Sequence, residues 1–367
     1  MAMAKQPGLP IRRSGFLALL APLLIVAILT CATQGARAEW HSSSGQAMGT
    51  EITVELWHKD AGIAQQAIEA VMAEMRRIDQ TFSPWIETSE LYRVNELAFQ
   101  TPQPVSDELA LLVDRSMYYS RLTEGAFDIT FASVGWYYDY RAKQQPDDAQ
   151  TEALLPAIDY HKLILDRRRN TLAFQHPDLR IDLGGIAKGY AVDQAIEILR
   201  GYGVENASVS AGGDTRLLGD RRGRPWMVGI KKPRSLSGDH EPAVVLPLQD
   251  VAISTSGDYE RYFIDPDTGE RVHHIINPHT GRSVHGIVSV TIIGRQSIDA
   301  DALSTSVFVL GVEKGLALVN ALPGIDSIII DSSGTLHYSD GLMPPVTGPV
   351  TDALTELRGA KALPATP

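Results

Sequence analysis

The chain has 367 residues, 44 of them acidic and 33 basic, for a formal net charge of −11. That surplus of acid argues against nucleic acid as a partner, and a lone cysteine, Cys31, leaves no pair for a disulfide or a thiolate metal site. The length suits one large core or two smaller lobes, and composition does not choose between them.

Residues 1–38 read as an export signal. Lys5, Arg12 and Arg13 precede the apolar run Phe16 to Cys31, and Ala36-Arg-Ala38 has the small-x-small pattern of a cleavage site. Arg12-Arg13-Ser-Gly-Phe-Leu resembles a twin-arginine signal loosely, and Sec export fits at least as well. An uncleaved anchor competes, although the run is short for a span of about 20 residues. Cleavage after Ala38 would remove four basic and no acidic residues, leaving 329 residues, no cysteine and a net charge of −15. The exported product is expected in the periplasm.

The residues after it divide into short elements. His41 to Gly45 reads as a Ser/Gly-rich lead-in, and Ala47-Met-Gly-Thr50 opens a strand in which Ile52, Val54 and Leu56 alternate with polar residues. A helix follows over about Ala61 to Asp79, with Ile63, Ala67, Ile68, Val71, Met75 and Ile78 on one face. It ends at the proline turn Phe82-Ser-Pro-Trp85. Short helical and strand pieces lead to Leu179-Arg-Ile-Asp182, read as the end of a strand, and then to a helix carrying Ile186, Tyr190, Ala191, Ala195, Ile198 and Leu199. Ala207 to Ala211 is a strand running into the diglycine turn before Asp214. Further strands, a last helix over about Asp299 to Asn320 and a terminal strand pair complete a domain expected over residues 39–345. Residues 346–367, rich in proline and alanine, form a tail expected to fray. Helices scattered among hairpin-like strands predict an α+β fold.

Three clusters carry chemistry. In Asp182-Leu-Gly-Gly-Ile-Ala-Lys-Gly-Tyr190, two glycines and Lys188 stand at a helix start, where unpaired amides and the helix dipole favour a phosphate or pyrophosphate. An ordinary glycine turn with a surface lysine answers to the same residues. In Ser297-Ile-Asp-Ala-Asp-Ala-Leu-Ser-Thr305, Asp301 and Thr305 are one helical turn apart, so their oxygens can meet one hard cation, and an oxygen-only set suits Mg²⁺. Asp299 and Asp301 read equally as residues complementing a helix start. In His273-His-Ile-Ile-Asn-Pro278, His274 stands between strand and turn, placed for a general base or for a structural hydrogen bond.

Together these resemble the ApbE family, the FAD:protein FMN transferases. The matching stations are Met48-Gly-Thr50, Phe82-Ser-Pro-Trp85 with Ser89-Glu-Leu, Gly125-Ala-Phe-Asp128, Asp182 to Tyr190, Gly212-Gly-Asp214, Ser256-Gly-Asp-Tyr259, His274-Ile-Ile-Asn-Pro278 with Thr280-Gly281, and Asp301 to Thr305. Each is weak alone, and their joint order is specific. The resemblance implies an ApbE-like mixed fold with antiparallel-rich sheets and packed helices. It also implies an Mg²⁺-dependent transfer of the FMN moiety of FAD to a threonine or serine of an exported or membrane-bound redox protein, with AMP leaving.

Carried over residue by residue, the resemblance makes Met48, Trp85, Ala126, Phe127, Asp128, Asp182, Lys188 and Ile275 FAD contacts. The Gly185 carbonyl, Asp301 and Thr305 become the Mg²⁺ site. His274 or a nearby carboxylate such as Asp258 would take the acceptor's proton. Gly185 stands where alanine is frequent, Ile129 where proline is common, and Trp85 where tyrosine is usual, which leaves Trp85 a stacking role without a hydroxyl. A hydrolase splitting FAD into FMN and AMP would use the same pocket, and a non-catalytic flavin-binding accessory protein would predict a damaged metal pair.

Overall fold

The computed structural model describes residues 39–233 and 242–342. The leader read at residues 1–38, with its alternatives, and the tail read at 346–367 lie outside the described residues.

The main sheet has eight strands: β1 (Glu39–Ala47), β2 (Thr50–His58), β3 (Ala207–Ala211), β4 (Asp214–Leu218), β5 (Ala252–Gly257), β6 (Ile287–Gly294), β7 (Asp326–Asp331) and β8 (Leu336–Tyr338). They lie side by side in chain order, and every neighbouring pair is antiparallel. The longer helices are α1 (Ala61–Phe82), α2 (Glu90–Leu97), α3 (Asp107–Leu122), α4 (Ala187–Gly201) and α5 (Ser297–Asn320). This is an α+β fold, as the scattered helices predict.

Helices α1, α4 and α5 pack in a row against one face of the sheet, α1 against β1 and β2, α5 against β5 and β6, with α4 between them. The other face is covered in part by the hairpin of Trp226–Lys231 and Pro242–Leu248, whose Trp226 packs with Leu217 and Ile253, and whose Ile230 and Val244 pack with Ile328. Covered on both sides, β6 is buried at all eight positions. A satellite cluster of Val134, Tyr138, Leu154, Phe263, Val272 and Ile276 joins the segment after α3 to the hairpins that follow β5.

Helices α1, α2 and α3 start where the sequence supplies an acceptor, whereas α4 starts at Ile186 without a side-chain cap. Asp60 takes the amides of Gly62 and Ile63, Ser89 that of Tyr92, and Ser106 that of Leu109. Helix α5 has no such residue of its own, and it breaks at Gly311 (φ 80°), a conformation open to glycine.

Three readings from sequence need correction. Residues 41–45 form the middle of β1, which pairs along the whole of β2 from Glu39 opposite His58 to Ala47 opposite Thr50. As the outermost strand it exposes Ser42, Ser43 and Ser44, so backbone pairing rather than an apolar pattern builds it. Residues 179–182 belong to no strand. The Asn95 side chain takes the place of a neighbouring strand, accepting from the Ile181 amide at 2.8 Å and donating to its carbonyl at 2.9 Å. On α1, Ile63 is 36% exposed while Ala64 and Phe82 join the buried face.

Candidate active site

The site forms where α4, β4, β5 and α5 converge. Before α4, the chain turns through Gly184, Gly185 and Ile186, and the Asp182 carboxylate accepts the Gly184 amide at 2.6 Å. Burial raises the Asp182 carboxyl, opposed by that hydrogen bond and by the charges of Arg261 and Lys188.

Lys188 lies in the first turn of α4. Its Nζ is 2.9 Å from the Gly184 carbonyl, 3.0 Å from Asp214 Oδ2 and 3.4 Å from Asp301 Oδ1. Burial disfavours the ammonium, but the two carboxylates outweigh it and hold Lys188 above the ordinary lysine range. Asp214 opens β4 and Asp301 sits on α5, and both are almost fully buried. Burial, then the charge of Asp214, pushes Asp301 well above the usual carboxylate range against the pull of Lys188. Two carboxylates thus share one ammonium.

The remaining oxygens of this pair are fixed by the protein. Asp301 Oδ2 accepts the Gly189 amide at 2.9 Å, and Asp214 Oδ1 accepts the Ser254 hydroxyl at 2.6 Å. Ser254 and Ser256 reach Ser304 at 3.1 and 2.8 Å, and Ser256 lies 3.5 Å from Thr305 Oγ1. Neither Asp299 nor Asp301 caps α5. Asp299 pairs with Arg115 at 2.7 Å, and the amides of Ser297 and Ile298 go to Asp193 of α4. Helix α4 can come this close because Gly189 has no side chain: a Cβ there would stand 2.2 Å from the Ser297 carbonyl oxygen.

Gly185 faces Thr305 and Phe127, since a Cβ on it would lie 3.3 Å from Thr305 Oγ1 and 3.2 Å from the Phe127 ring. Gly185, Asp301 and Thr305 are therefore brought together, with Lys188 and Phe127 beside them. Among the described residues no group of three or more His, Cys, Asp or Glu gathers as a metal site. An oxygen set of one carboxylate, one hydroxyl and one carbonyl would not register as such a group, and it is of the hard type that Mg²⁺ accepts. The uncompensated charge of the Asp214–Asp301 pair also fits a cation here.

The two adjacent histidines differ. His273 Nε2 donates to the Val284 carbonyl at 2.6 Å and its Nδ1 accepts from Ile275, so its ring is committed to structure. His274 Nδ1 is buried without a hydrogen-bond partner. Burial, then the charges of Arg261, His273 and Lys188, pulls His274 down to about 3, which leaves it neutral near pH 7. Asp258 is buried just beyond β5, where its charge reaches His273.

The other residues singled out from sequence occupy the surroundings. Met48 and Gly49 make the β1–β2 turn with positive φ, and the Arg261 guanidinium donates to the Gly49 carbonyl at 3.3 Å. Trp85 is 61% exposed and stacks on Trp136 at 4.1 Å, with the Arg180 guanidinium also over Trp136. Ala126 and Phe127 are buried, and Asp128 binds the Thr130 amide and hydroxyl and the Tyr160 amide, a structural role for its side chain. The Ile275 side chain lies in the main core.

Sequence reasoning passed over Asp214, Ser254 and Arg261 as site residues. The Gly-Gly-Asp turn was the available signal for Asp214, since an acid directly after a tight turn between strands is held at the sheet's end.

The sequence profile of the ApbE family matches residues 48–329. A relative from Vibrio cholerae serotype O1, named FAD:protein FMN transferase, is 34% identical over 330 residues, covering 82% of this chain and 91% of that protein. Among solved structures, the ApbE protein from Thermotoga maritima superposes with a TM-score of 0.75 at 32% identity, over 82% of this chain and 97% of that one. The flavin transferase ApbE from Vibrio cholerae gives 0.72 at 30% identity, over 83% and 98%. With its fold, its motifs and these alignments in agreement over most of its length, the chain belongs to the ApbE family.

Proposed function

We infer that this protein is an FAD:protein FMN transferase that moves the FMN moiety of FAD onto a threonine or serine hydroxyl of an exported or membrane-bound redox protein, with AMP leaving. The observation that carries the reading is the convergence of Lys188, Asp214, Asp301 and Thr305 at a glycine-bearing helix start beside a histidine with an unpartnered buried nitrogen. The names of the relatives support the same chemistry.

In the reaction, the acceptor oxygen bonds to the phosphorus of the FMN half, the bond from that phosphorus to the AMP phosphate breaks, and the hydroxyl proton passes to a base. His274 is the assigned base. Its ring is neutral and its buried Nδ1 makes no hydrogen bond; burial is the main cause that depresses its pKa, and a pyrophosphate would offset the further effect of the Arg261 and Lys188 charges. Asp258, close to His273, is the second candidate. Asp301, Thr305 and the Gly185 carbonyl would hold Mg²⁺, which when bound would neutralise charge on the pyrophosphate and the departing AMP. Lys188 and the amides at the start of α4 orient the phosphates. Trp85 offers an exposed aromatic face for the flavin ring. The leader at residues 1–38 supports action in the periplasm, on an acceptor exported to the same compartment.

The test is AMP release from FAD by the chain from residue 39 onward with Mg²⁺, with and without a threonine-bearing acceptor domain whose mass is followed. AMP with an FMN-sized mass gain on the acceptor is expected. AMP with free FMN and no mass gain would assign a hydrolase, and bound FAD without AMP would assign an accessory protein.

A further inference from the structure

The ammonium of Lys188 sits on Asp301 Oδ1, the carboxylate oxygen left for a cation held with Thr305 and the Gly185 carbonyl. Each of the two buried carboxylates has one oxygen fixed by the protein, Asp301 Oδ2 by the Gly189 amide and Asp214 Oδ1 by the Ser254 hydroxyl. The other oxygen of each, Asp301 Oδ1 and Asp214 Oδ2, faces Lys188 Nζ, at 3.4 and 3.0 Å, and the Gly184 carbonyl completes the ammonium's partners at 2.9 Å. The partners differ in freedom. The carboxylates are 2% and 4% exposed, while the Lys188 side chain is 25% exposed and hangs on a flexible four-carbon stem.

We propose that Lys188 is a placeholder cation: before metal binds, its ammonium offsets part of the charge of the Asp214–Asp301 pair, and metal binding at Asp301 releases it to reach the phosphates of the substrate. The proposal rests on the Mg²⁺ reading of Asp301, Thr305 and Gly185. The physical reason is that an ammonium and a divalent ion on one buried carboxylate oxygen repel strongly at low local dielectric. The ion, chelated by several oxygens, keeps the place, and the lysine has the open route. One side chain then serves two ends. It gives two buried carboxylates a shared counter-ion in the metal-free protein, and it couples metal arrival to the appearance of a free cation where an anionic substrate enters.

The experiment is calorimetric titration of MgCl₂ into the flavin-free chain from residue 39 onward, comparing the unaltered protein with Lys188→Met and Lys188→Arg. The expected result is Mg²⁺ binding at least tenfold tighter in Lys188→Met, and no tightening in Lys188→Arg, which retains the competing charge. Equal or weaker binding in Lys188→Met, with clear binding to the unaltered protein, overturns the placeholder role and leaves the metal site standing. No Mg²⁺ binding to either protein overturns the metal reading and the proposal with it. Should Lys188→Met fail to fold, the ¹⁵N-detected Nζ signal of Lys188 in the unaltered protein decides. A change on adding MgCl₂ to flavin-free protein is expected, and a signal that does not move overturns the proposal.

Discussion

Asp193 of helix α4 caps helix α5: its two carboxylate oxygens accept the amides of Ser297 and Ile298 at 2.9 Å each. Since α5 lacks a cap of its own, the bond both satisfies its first amides and sets its register against α4. The same two helices carry Lys188 and Asp301, so the cap fixes the distance across the site. Asp193→Ala is expected to cost about 1–2 kcal/mol of stability and to weaken FAD binding. Urea unfolding and flavin fluorescence titration measure the two, and unchanged values for both would show that packing alone sets the register.

Gly189 provides a sharper test of the same contact. In an exposed helix interior, replacing glycine by alanine stabilises by about 1 kcal/mol. Here the added Cβ would meet the Ser297 carbonyl oxygen at 2.2 Å and Asp301 Cβ at 2.8 Å, so α4 and α5 must separate. Overpacking of this kind costs about 1–3 kcal/mol, and the expected net effect of Gly189→Ala is a loss of stability together with a loss of activity. A variant with a higher urea midpoint than the parent would contradict the close helix contact.

Much of this arrangement is legible in the sequence because its determinants are local. The apolar face of α1 and the i, i+4 spacing of Asp301 and Thr305 depend on residues a few positions apart. What is hidden depends on partners distant in the chain. Strand β1 has no apolar alternation and is recognisable only beside β2. Residues 179–182 pass for a strand because Asn95, some 86 positions away, satisfies their backbone as a strand would. Asp214 meets Lys188 only once the sheet has formed, and Asp299 and Asp301 pass for helix caps until Asp193 is seen to hold the start of α5.

Asp301→Asn should separate stability from activity. The substitution removes one of two buried carboxylates that share a single ammonium, so the metal-free protein is expected to unfold at the same or a higher temperature. Transfer should fall at least about a hundredfold, the scale seen when a charge-stabilising group is lost from an active site. Full transfer by this variant at ordinary Mg²⁺ concentrations would remove Asp301 from the metal site.

His274→Ala should act on the chemical step. A positioned base is worth about 10²–10⁴-fold in rate, while the ring makes no hydrogen bond through Nδ1 that its loss would break. The expected pattern is a large fall in single-turnover transfer, with FAD affinity within a few-fold of the parent. An unchanged transfer rate would pass the base role to Asp258, to be tested as Asp258→Asn.

The buried histidine pair also predicts how stability depends on pH. His274 is held down to about 3, chiefly by burial, and burial lowers His273 as well, so both are neutral in the folded protein at pH values where an unfolded histidine, titrating near 6.5, takes up a proton. Unfolding therefore binds protons below that value. The contribution is fully present above about pH 6.5 and is lost as pH falls toward the folded-state values, with a slope of at most about 1.4 kcal/mol per pH unit for each ring. Acidification from pH 7 to 5 should lower the urea midpoint, and His274→Gln, which keeps a polar side chain that cannot charge, should flatten that fall relative to the parent. Equal slopes for the two proteins would mean that His274 is reached by solvent and charges in place, and its role as a neutral, poised base would have to be abandoned.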